Sequence, residues 1–235
     1  MKYRIIKKDN STTFDYEKKL NILLQNNEFI YDSAAKFVIV LGGDGALLRA
    51  IHENLEQECT FYIVNFGTLG YHTTIENGEI EEVVSSIVNF KYELDEYFIS
   101  EVIINGEKEY FVNEVIFNSY KFLQNSTVRY DDNVYKVNAS KLVVASKFGS
   151  SGFIWYNGLV NVDLDLNYFQ IGCVGSINNK ILSSLDRSVI VSDNKVISGV
   201  VNNVNYVNID FKVIEYNGII EYKVSKSKFK YCICR

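Results

Sequence analysis

Apolar residues in the N-terminal part of the chain follow two alternating patterns: short continuous runs and runs with helical spacing. Continuous runs of mostly branched residues predict three strands, at residues 2–7, 37–41 and 61–65. Apolar residues that recur every three or four positions predict helices at residues 13–27, after Gly45 and within residues 75–88. Because strands that alternate with helices are typical of parallel sheets, the pattern predicts a Rossmann-like α/β domain over residues 1–90.

The rest of the chain is patterned as short β-type runs separated by turn signals. Asn105-Gly106 and Asn217-Gly218 are strong signals for type I′ hairpins, and residues 131–133 (Asp-Asp-Asn) mark a further hairpin. The predicted strands are residues 97–105, 109–118, 127–130, 134–137, 142–146, 169–174, 188–191, 195–201, 207–214, 222–224 and 229–234. This pattern predicts an all-β domain, a β-sandwich, over residues 91–235. Its last segment could pack back on the N-terminal domain.

Composition narrows the class of protein. The chain has 235 residues, of which 47% are hydrophobic and 23% charged, and a net charge of −5. With no apolar run near the roughly 20 residues that span a bilayer and no signal-peptide pattern, we expect a soluble, cytoplasmic protein without a membrane partner. Lys and Arg are scattered, so no nucleic-acid partner is expected. The cysteines are expected as buried thiols, and two histidines exclude a histidine-rich metal site.

One tight turn stands out at the end of the second predicted strand. Three glycines within four positions, Gly42, Gly43 and Gly45, surround Asp44 and precede a leucine-rich helix. Glycines let the backbone approach a ligand closely, and a helix N-terminus presents free N–H groups to anions. The spacing matches neither of the common glycine-rich nucleotide-binding motifs. Asp44 either caps the following helix or takes part in chemistry, and the turn alone leaves both interpretations open.

Three further features could complete a site with this turn. Residues 65–70 form a second glycine turn after a strand, and carboxyl ends of parallel strands meet at one edge of a sheet, where ligands bind. Asn113 and Glu114 interrupt an apolar strand and could hold a ribose diol or a base edge; alternatively they face water on an edge strand. Residues 146–153 combine hydroxyl side chains with glycines, which suits a polar ligand but equally suits a plain loop.

Together these motifs resemble the NAD kinase family over nearly the whole chain. The family's G-G-D-G and leucine-rich helix correspond to residues 42–48, and its N-x-G-x-L-G-[FY] to residues 65–71. Its N-E pair corresponds to residues 113–114, and its hydroxyl-rich loop, close to T-P-[ST]-G-[ST]-T-A-Y, to residues 146–153. Two further segments, residues 176–179 and 229–235, are similar to those of small members of the Gram-positive type.

The chain also departs from the family pattern. Where the family has R-G-D-G, this sequence has Asn138-Ala139-Ser140-Lys141, without the basic residue and the carboxylate. In the hydroxyl-rich loop, Lys147, Gly152 and Phe153 replace the usual Pro, Ala and Tyr. Ala46 replaces the Thr after G-G-D-G, and Gly175 stands where Ala is common. The resemblance implies that these positions shape the dinucleotide pocket, in part from a neighbouring subunit, and it leaves the preference between NAD and NADH open.

The activity that the resemblance implies is ATP-dependent phosphorylation of the adenosine ribose 2′-hydroxyl of NAD, giving NADP. Asp44 would orient this hydroxyl and accept its proton, Mg²⁺ would bridge the ATP phosphates, and no protein metal ligand is expected. Arg49 would meet a phosphate or be a plain surface residue. The residues implied to bind the substrates NAD and ATP are Gly42, Gly43, Gly45, Arg49, Phe66, Gly67, Leu69, Asn113, Glu114, Asn138, Ser140, Phe148, Ser151, Gly152, Phe153, Tyr156 and Gly175.

Two other functions stay open at this point. A lipid kinase can use the same glycine turn, and a non-catalytic NAD-binding sensor would bind NAD without turning over ATP. A homodimer or homotetramer is expected, and the sequence does not decide between ATP and polyphosphate as the phosphoryl donor.

Overall fold

A computed structural model of the chain describes residues 1–8, 11–68, 70–76, 79–120, 123–159, 167–177, 185 and 188–235. The chain divides into two compact units, residues 1–98 with 229–235 and residues 99–228. The prediction from sequence placed the boundary at residue 90. We call these unit 1 and unit 2 and describe each by itself. Within the described residues, no helix has the length and apolar character needed to cross a membrane.

Four helices, one 3₁₀ turn and fifteen strands are described. The helices are α1 (Ser11–Asn26), α2 (Asp44–His52), α3 (Ile80–Val88) and α4 (Phe153–Tyr156), and the 3₁₀ turn is Phe148–Ser151. The first seven strands are β1 (Lys2–Lys7), β2 (Ile30–Tyr31), β3 (Phe37–Gly42), β4 (Thr60–Asn65), β5 (Ile75–Glu76), β6 (Leu94–Ile104) and β7 (Glu107–Phe111). The others are β8 (Glu114–Asn118), β9 (Gln124–Tyr130), β10 (Asn133–Ala139), β11 (Lys141–Ser146), β12 (Tyr168–Val174), β13 (Ser188–Ser192), β14 (Ile197–Ile209) and β15 (Lys212–Cys234).

Unit 1 is a parallel sheet with helices. Its strand order is β2-β1-β3-β4, and β4 pairs along its other edge with β5 and with the end of β15. All six residues of β3 are buried, as expected for a central parallel strand. Successive side chains of a strand point to opposite faces, and Ile39 and Leu41 share a core with residues of α1 and α3. The predicted α/β fold is confirmed.

The helix predicted within residues 75–88 is confirmed as α3, which begins at Ile80. Ile75 and Glu76, before this helix, form the short strand β5, which was not predicted. Strand pairing places Ile75 beside Val64 and Glu76 beside Asn65. A two-residue strand has too few residues for a recognisable period, so its tertiary pairing prevailed over the helical spacing that follows.

Unit 2 is β-rich and antiparallel, which confirms the predicted class. Its main sheet runs β13-β12-β11-β8-β14-β15, while β9 pairs with β10 and β14, and β6 pairs with β7. The strand β11 shows how the sheet is buried on both faces. Leu142 and Val144 belong to the large core of unit 2, whereas the alternate residues Val143 and Ala145 pack with Ile154 of α4.

The predicted hairpin turns are partly confirmed. Asn105-Gly106 connects β6 to β7, with φ of 49° and 93°, and Asp131-Asp132 lies between β9 and β10. The hairpin predicted at Asn217-Gly218 is wrong, because these residues lie inside the continuous strand β15. There the register between β14 and β15 shifts, with Val204 opposite Gly218. The chain reverses instead at residues 210–211, inside the strand predicted over residues 207–214.

Candidate functional site

The glycine turn of unit 1 places Asp44 at the first position of α2. Gly43, not Asp44, is the N-cap of this helix, and its carbonyl oxygen accepts hydrogen bonds from the N–H groups of Ala46 and Leu47, at 2.9 and 3.1 Å. The interpretation of Asp44 as a helix cap is therefore wrong. Its two carboxylate oxygens accept hydrogen bonds from the backbone N–H groups of Tyr71 and His72 instead, each at 3.1 Å.

The second glycine turn lies beside the first at the carboxyl edge of the parallel sheet. Gly42 and Asn65 are paired in the β3–β4 register, and the Phe66 N–H donates to the Gly42 carbonyl at 3.1 Å. The Asn65 side chain holds the turn from inside, because its Oδ1 accepts from the Gly67 N–H at 2.8 Å and its Nδ2 donates to Glu76. The structure thus brings together both glycine turns, as predicted.

Space for a ligand exists at Gly45, the residue after Asp44. Gly45 is exposed, and a Cβ built on it would meet no described atom within 4 Å. Arg49, one turn further along α2, is also exposed. Phe66 makes an edge-to-face contact with Tyr16 of α1, with ring centroids 5.0 Å apart. Leu69, another predicted contact of the ligand, lies outside the described residues.

In unit 2, Asn113 and Glu114 stand at a break in the strand predicted over residues 109–118. Strand β7 ends at Phe111 and β8 begins at Glu114. The carboxylate of Asp210 fills this break: it accepts hydrogen bonds from the backbone N–H groups of Val112, Asn113 and Glu114 at 2.7, 2.8 and 3.0 Å. The alternative of an edge-strand pair facing water is wrong for Glu114, which is only 9% exposed.

The hydroxyl-rich loop packs directly on this break. The Ser146 N–H donates to the Asn113 carbonyl at 2.8 Å, and the Ser146 hydroxyl donates to the Val112 carbonyl while accepting from the Phe148 N–H. A Cβ on Gly149 would lie 2.4 Å from the Asn113 carbonyl oxygen, so only glycine permits this close approach. The structure therefore brings the predicted N-E pair and the loop together.

Two buried polar atoms at this place have no hydrogen-bond partner among the described residues. They are Glu114 Oε2 and the Ser150 hydroxyl oxygen, and Ser150 is 1% exposed. A Cβ on Gly152 would lie 3.7 Å from Glu114 Oε2, which places the open side of Gly152 next to this oxygen. Buried polar groups are normally satisfied, so an unpartnered pair suggests a site that a polar ligand completes.

Burial changes the protonation of Glu114. Loss of solvation, followed by the negative charge of Asp210, raises the pKa of Glu114 from 4.5 to about 8. The carboxyl group is therefore mostly protonated near neutral pH in the free protein. Perturbed carboxyl groups of this kind are common at functional sites.

The raised pKa predicts a pH-dependent stability. Folding favours the protonated form of Glu114, so its contribution is fully present below pH 4.5 and is lost as the pH rises through about 8. The Glu114→Gln variant cannot titrate at this position. We expect the unfolding free energy of the original chain to fall relative to the variant by about 1.4 kcal/mol per pH unit across this window, measured by urea unfolding. If the unfolding free energies of the two proteins changed in parallel with pH, the raised pKa of Glu114 would be contradicted.

The remaining predicted positions of unit 2 form a separate group. The backbone carbonyl oxygen of Asn138 accepts a hydrogen bond from the Ile177 N–H, and the Ser140 hydroxyl donates to the Val174 carbonyl at 2.8 Å. Gly175 has φ of 63°, and a Cβ there would lie 2.5 Å from the Ser140 hydroxyl oxygen. Ser140 precedes β11, whereas Ala145, near the other end of that strand, pairs with Glu114. The two groups are thus about 16 Å apart along β11.

The other predicted residues of the loop differ in exposure. Phe148 is buried, Ser151 and Gly152 are half-buried, and Tyr156 is 92% exposed. The ammonium group of Lys141 lies 5.1 Å from the centre of the Phe153 ring. Of the segment 176–179, residues 178 and 179 lie outside the described part.

Reasoning from sequence missed three contributors to these sites. Asp210 was predicted within a strand, although a charged residue in the apolar run of residues 207–214 was a usable signal. The Ser146 hydroxyl holds the loop through the Val112 carbonyl, and Arg235 contacts the 71–72 turn. Both contacts join residues that are distant in sequence, so no local pattern indicates them. Among the described residues, no group of three or more His, Cys, Asp or Glu side chains could hold a metal ion.

Comparison with known proteins finds similarity to NAD kinases. Residues 5–92 match the family model for the ATP-NAD kinase N-terminal domain. An NAD kinase from Staphylococcus saprophyticus is 24% identical over 247 residues, covering 98% of this chain and 91% of the relative. An NAD kinase from Staphylococcus aureus is 25% identical over the same length and with the same coverage.

Solved structures show the same fold. An NAD kinase from Archaeoglobus fulgidus in complex with ATP has a TM-score of 0.80 at 19% identity, covering 100% of this chain and 94% of that chain. Yeast NADH kinase complexed with NADH has a TM-score of 0.81 at 12% identity, covering 100% and 83%. Residues 5–92 thus match the model of the ATP-NAD kinase N-terminal domain, and the chain is similar to NAD kinases along nearly its whole length.

Proposed function

We propose that the chain transfers the terminal phosphoryl group of ATP to the 2′-hydroxyl of the adenosine ribose of NAD, giving NADP. The observation that carries this proposal is the Asp44 carboxylate, fixed by two backbone N–H groups beside open space at the glycine turns of unit 1. The end-to-end similarity to proteins named NAD kinase supports the choice of substrate.

Asp44 is the proposed catalytic residue. Phosphoryl transfer passes through a loose transition state, so an enzyme contributes mainly positioning and neutralisation of charge. The carboxylate would orient the 2′-hydroxyl and accept its proton as the new P–O bond forms, which typically contributes about 10²–10⁴ in rate. The backbone of Gly42, Gly43 and Gly45 would approach the phosphates, with Arg49 as a nearby positive charge.

Glu114 and its neighbours are the proposed dinucleotide site. The unpartnered oxygens of Glu114 and Ser150 can pair with ribose hydroxyls, and the Asn113 side chain offers both a donor and an acceptor. Asp210 and Ser146 keep the backbone of this segment in place through the hydrogen bonds described above. Ser151, Gly152 and Phe153 would surround the ligand from the loop.

We propose that Mg²⁺ enters with ATP. Mg²⁺ commonly keeps several waters and binds through substrate phosphates with one or two carboxylates, which fits a chain whose described residues offer no carboxylate cluster. When bound, the ion neutralises charge on the phosphates.

We further propose a homodimer or homotetramer, because a neighbouring subunit could then bring Asn138, Ser140 and Gly175 to the dinucleotide held at Glu114.

A substrate panel tests the proposed function. The purified protein is incubated with Mg²⁺ and γ-labelled ATP, together with NAD, NADH, a sphingoid base or diacylglycerol, and polyphosphate replaces ATP in parallel reactions. We expect the label in NADP or NADPH and not in lipid. Label in lipid would favour the lipid kinase, and binding of NAD without transfer from either donor would favour the sensor.

A further inference from the structure

The side chain of Arg235 makes four polar contacts inside unit 1. Its Nε lies 3.2 Å from an oxygen of Asp95, and its terminal nitrogens lie 2.9 Å from both the Tyr71 carbonyl oxygen and the Tyr97 hydroxyl. The fourth contact joins a terminal nitrogen to His72 Nδ1 at 3.0 Å. A guanidinium group only donates hydrogen bonds, so His72 Nδ1 is the acceptor in this contact.

Two of these contacts fall on the residues that hold Asp44. Tyr71 and His72 donate their backbone N–H groups to the Asp44 carboxylate, and they offer Arg235 a carbonyl oxygen and a ring nitrogen. The 71–72 turn is therefore held from two sides. The Tyr71 side chain is 54% exposed, whereas that of His72 is only 2% exposed, so burial holds the turn at His72 and the contacts of Arg235 add to it.

The side chains around the guanidinium group of Arg235 are themselves held rigidly by packing. Tyr97 is 3% exposed and stacks on Tyr231, with ring centroids 5.5 Å apart and an interplanar angle of 14°. The same ring meets His72 edge-on at 6.3 Å. Aromatic side chains held in this way have little freedom, so the direction of the Arg235 donors is set by packing as well as by charge.

We propose that Arg235 is a positioning residue for the phosphoryl transfer, which it supports by fixing the 71–72 turn and thereby the direction of the Asp44 carboxylate. This inference rests on the proposed function of Asp44. A proton acceptor must be aligned with the reacting hydroxyl, and a displacement of about 1 Å can cost roughly 10²-fold in rate. In this role Arg235 acts through the 71–72 turn and not by contact with NAD or ATP.

The test is the Arg235→Met variant, with Lys230→Met as its matched control. Lys230 lies on β15, which ends one residue before Arg235, and it pairs with Glu96 at the surface. We expect Arg235→Met to lower kcat roughly tenfold to a hundredfold, with KM for NAD and ATP changed by less than about threefold. Lys230→Met should match the original chain. An unchanged kcat, or a loss confined to KM, would overturn the proposal.

Two further variants keep the test decisive if Arg235→Met does not fold. Tyr97→Phe keeps the stacked ring but removes the hydroxyl that accepts a hydrogen bond from the guanidinium group. Arg235→Lys keeps the positive charge but loses the several donors with which the guanidinium group binds its neighbours at once. Both should lower kcat by a smaller factor, about threefold to tenfold. Full activity in both variants would contradict the proposal.

A readout of structure separates positioning from general stability. In Tyr97→Phe and in folded Arg235→Met, amide hydrogen exchange should accelerate about tenfold or more at Tyr71 and His72 while the β3 and β4 amides stay protected. If amide exchange accelerated throughout unit 1, Arg235 would stabilise the whole unit and would have no specific positioning role. Failure of the premises looks different: the original chain would form no NADP if the proposed function is wrong, and Asp44→Asn would keep its full kcat if the proposed role of Asp44 is wrong.

Discussion

Replacing Asp44 with asparagine is expected to abolish NADP formation, lowering kcat by about 10²–10⁴-fold while the chain stays folded. The amide cannot accept the proton of the ribose hydroxyl. It can still accept one backbone N–H with its oxygen, but its NH₂ group faces the second N–H, because Tyr71 and His72 both donate to this side chain. We therefore expect a modest loss of stability, about 1–2 kcal/mol in urea unfolding.

Asp32→Asn is the matched control for this variant. Asp32 also lies in unit 1 and also accepts a backbone N–H, that of Ala34 at 2.9 Å, but it sits beside the start of β1 and pairs with Lys2. Its replacement should leave kcat unchanged. Undiminished turnover in Asp44→Asn would show that this carboxylate only anchors the 71–72 turn and that another group accepts the proton.

Glu114→Ala is expected to weaken NAD binding by tenfold or more without lowering the unfolding free energy near pH 8. Glu114 Oε2 has no hydrogen-bond partner among the described residues, and its pKa is raised to about 8, so the folded chain gains little from this carboxyl group. A bound ribose would supply hydrogen bonds to a charged acceptor, each contributing about 1.5–3 kcal/mol. Calorimetric titration with NAD and urea unfolding at the same pH measure both effects.

Two companion variants define what the loss means. Glu114→Gln keeps the size of the side chain, so a loss of affinity shared with Glu114→Ala points to the carboxylate and not to a cavity. Glu109 lies on β7 and forms a surface ion pair with Lys212, so the Glu109→Gln variant should bind NAD normally. Unchanged affinity in both Glu114 variants would remove this residue from the dinucleotide site.

The strand, turn and helix around Asp44 were predictable because their signals are local. An apolar run, three glycines and a helical spacing stand next to one another in the sequence, and each indicates the same structure. The partners of the Asp44 carboxylate were not predictable, since Tyr71 and His72 come from a loop beyond the next strand. Nothing in the sequence near Asp44 says which N–H groups will meet it.

Unit 2 illustrates how a strong local signal can fail. Asn217-Gly218 is a typical hairpin dipeptide, but the reversal occurs at Asp210 and Phe211, with Asp210 at φ of 49°. At that turn the Asp210 carboxylate gains three backbone N–H donors from residues about a hundred positions earlier, a tertiary contribution that turn statistics do not contain. The break in the strand before Glu114, and hence the geometry of the proposed dinucleotide site, has the same non-local origin.

The central claim is that this chain makes NADP from NAD. The most direct measurement is a coupled assay in which the purified protein, NAD, ATP and Mg²⁺ are followed with a dehydrogenase that accepts only NADP. We predict continuous NADP formation by the original chain and by Asp32→Asn, and none above background by Asp44→Asn. Failure of the folded original chain to form NADP at saturating NAD and ATP would contradict the account.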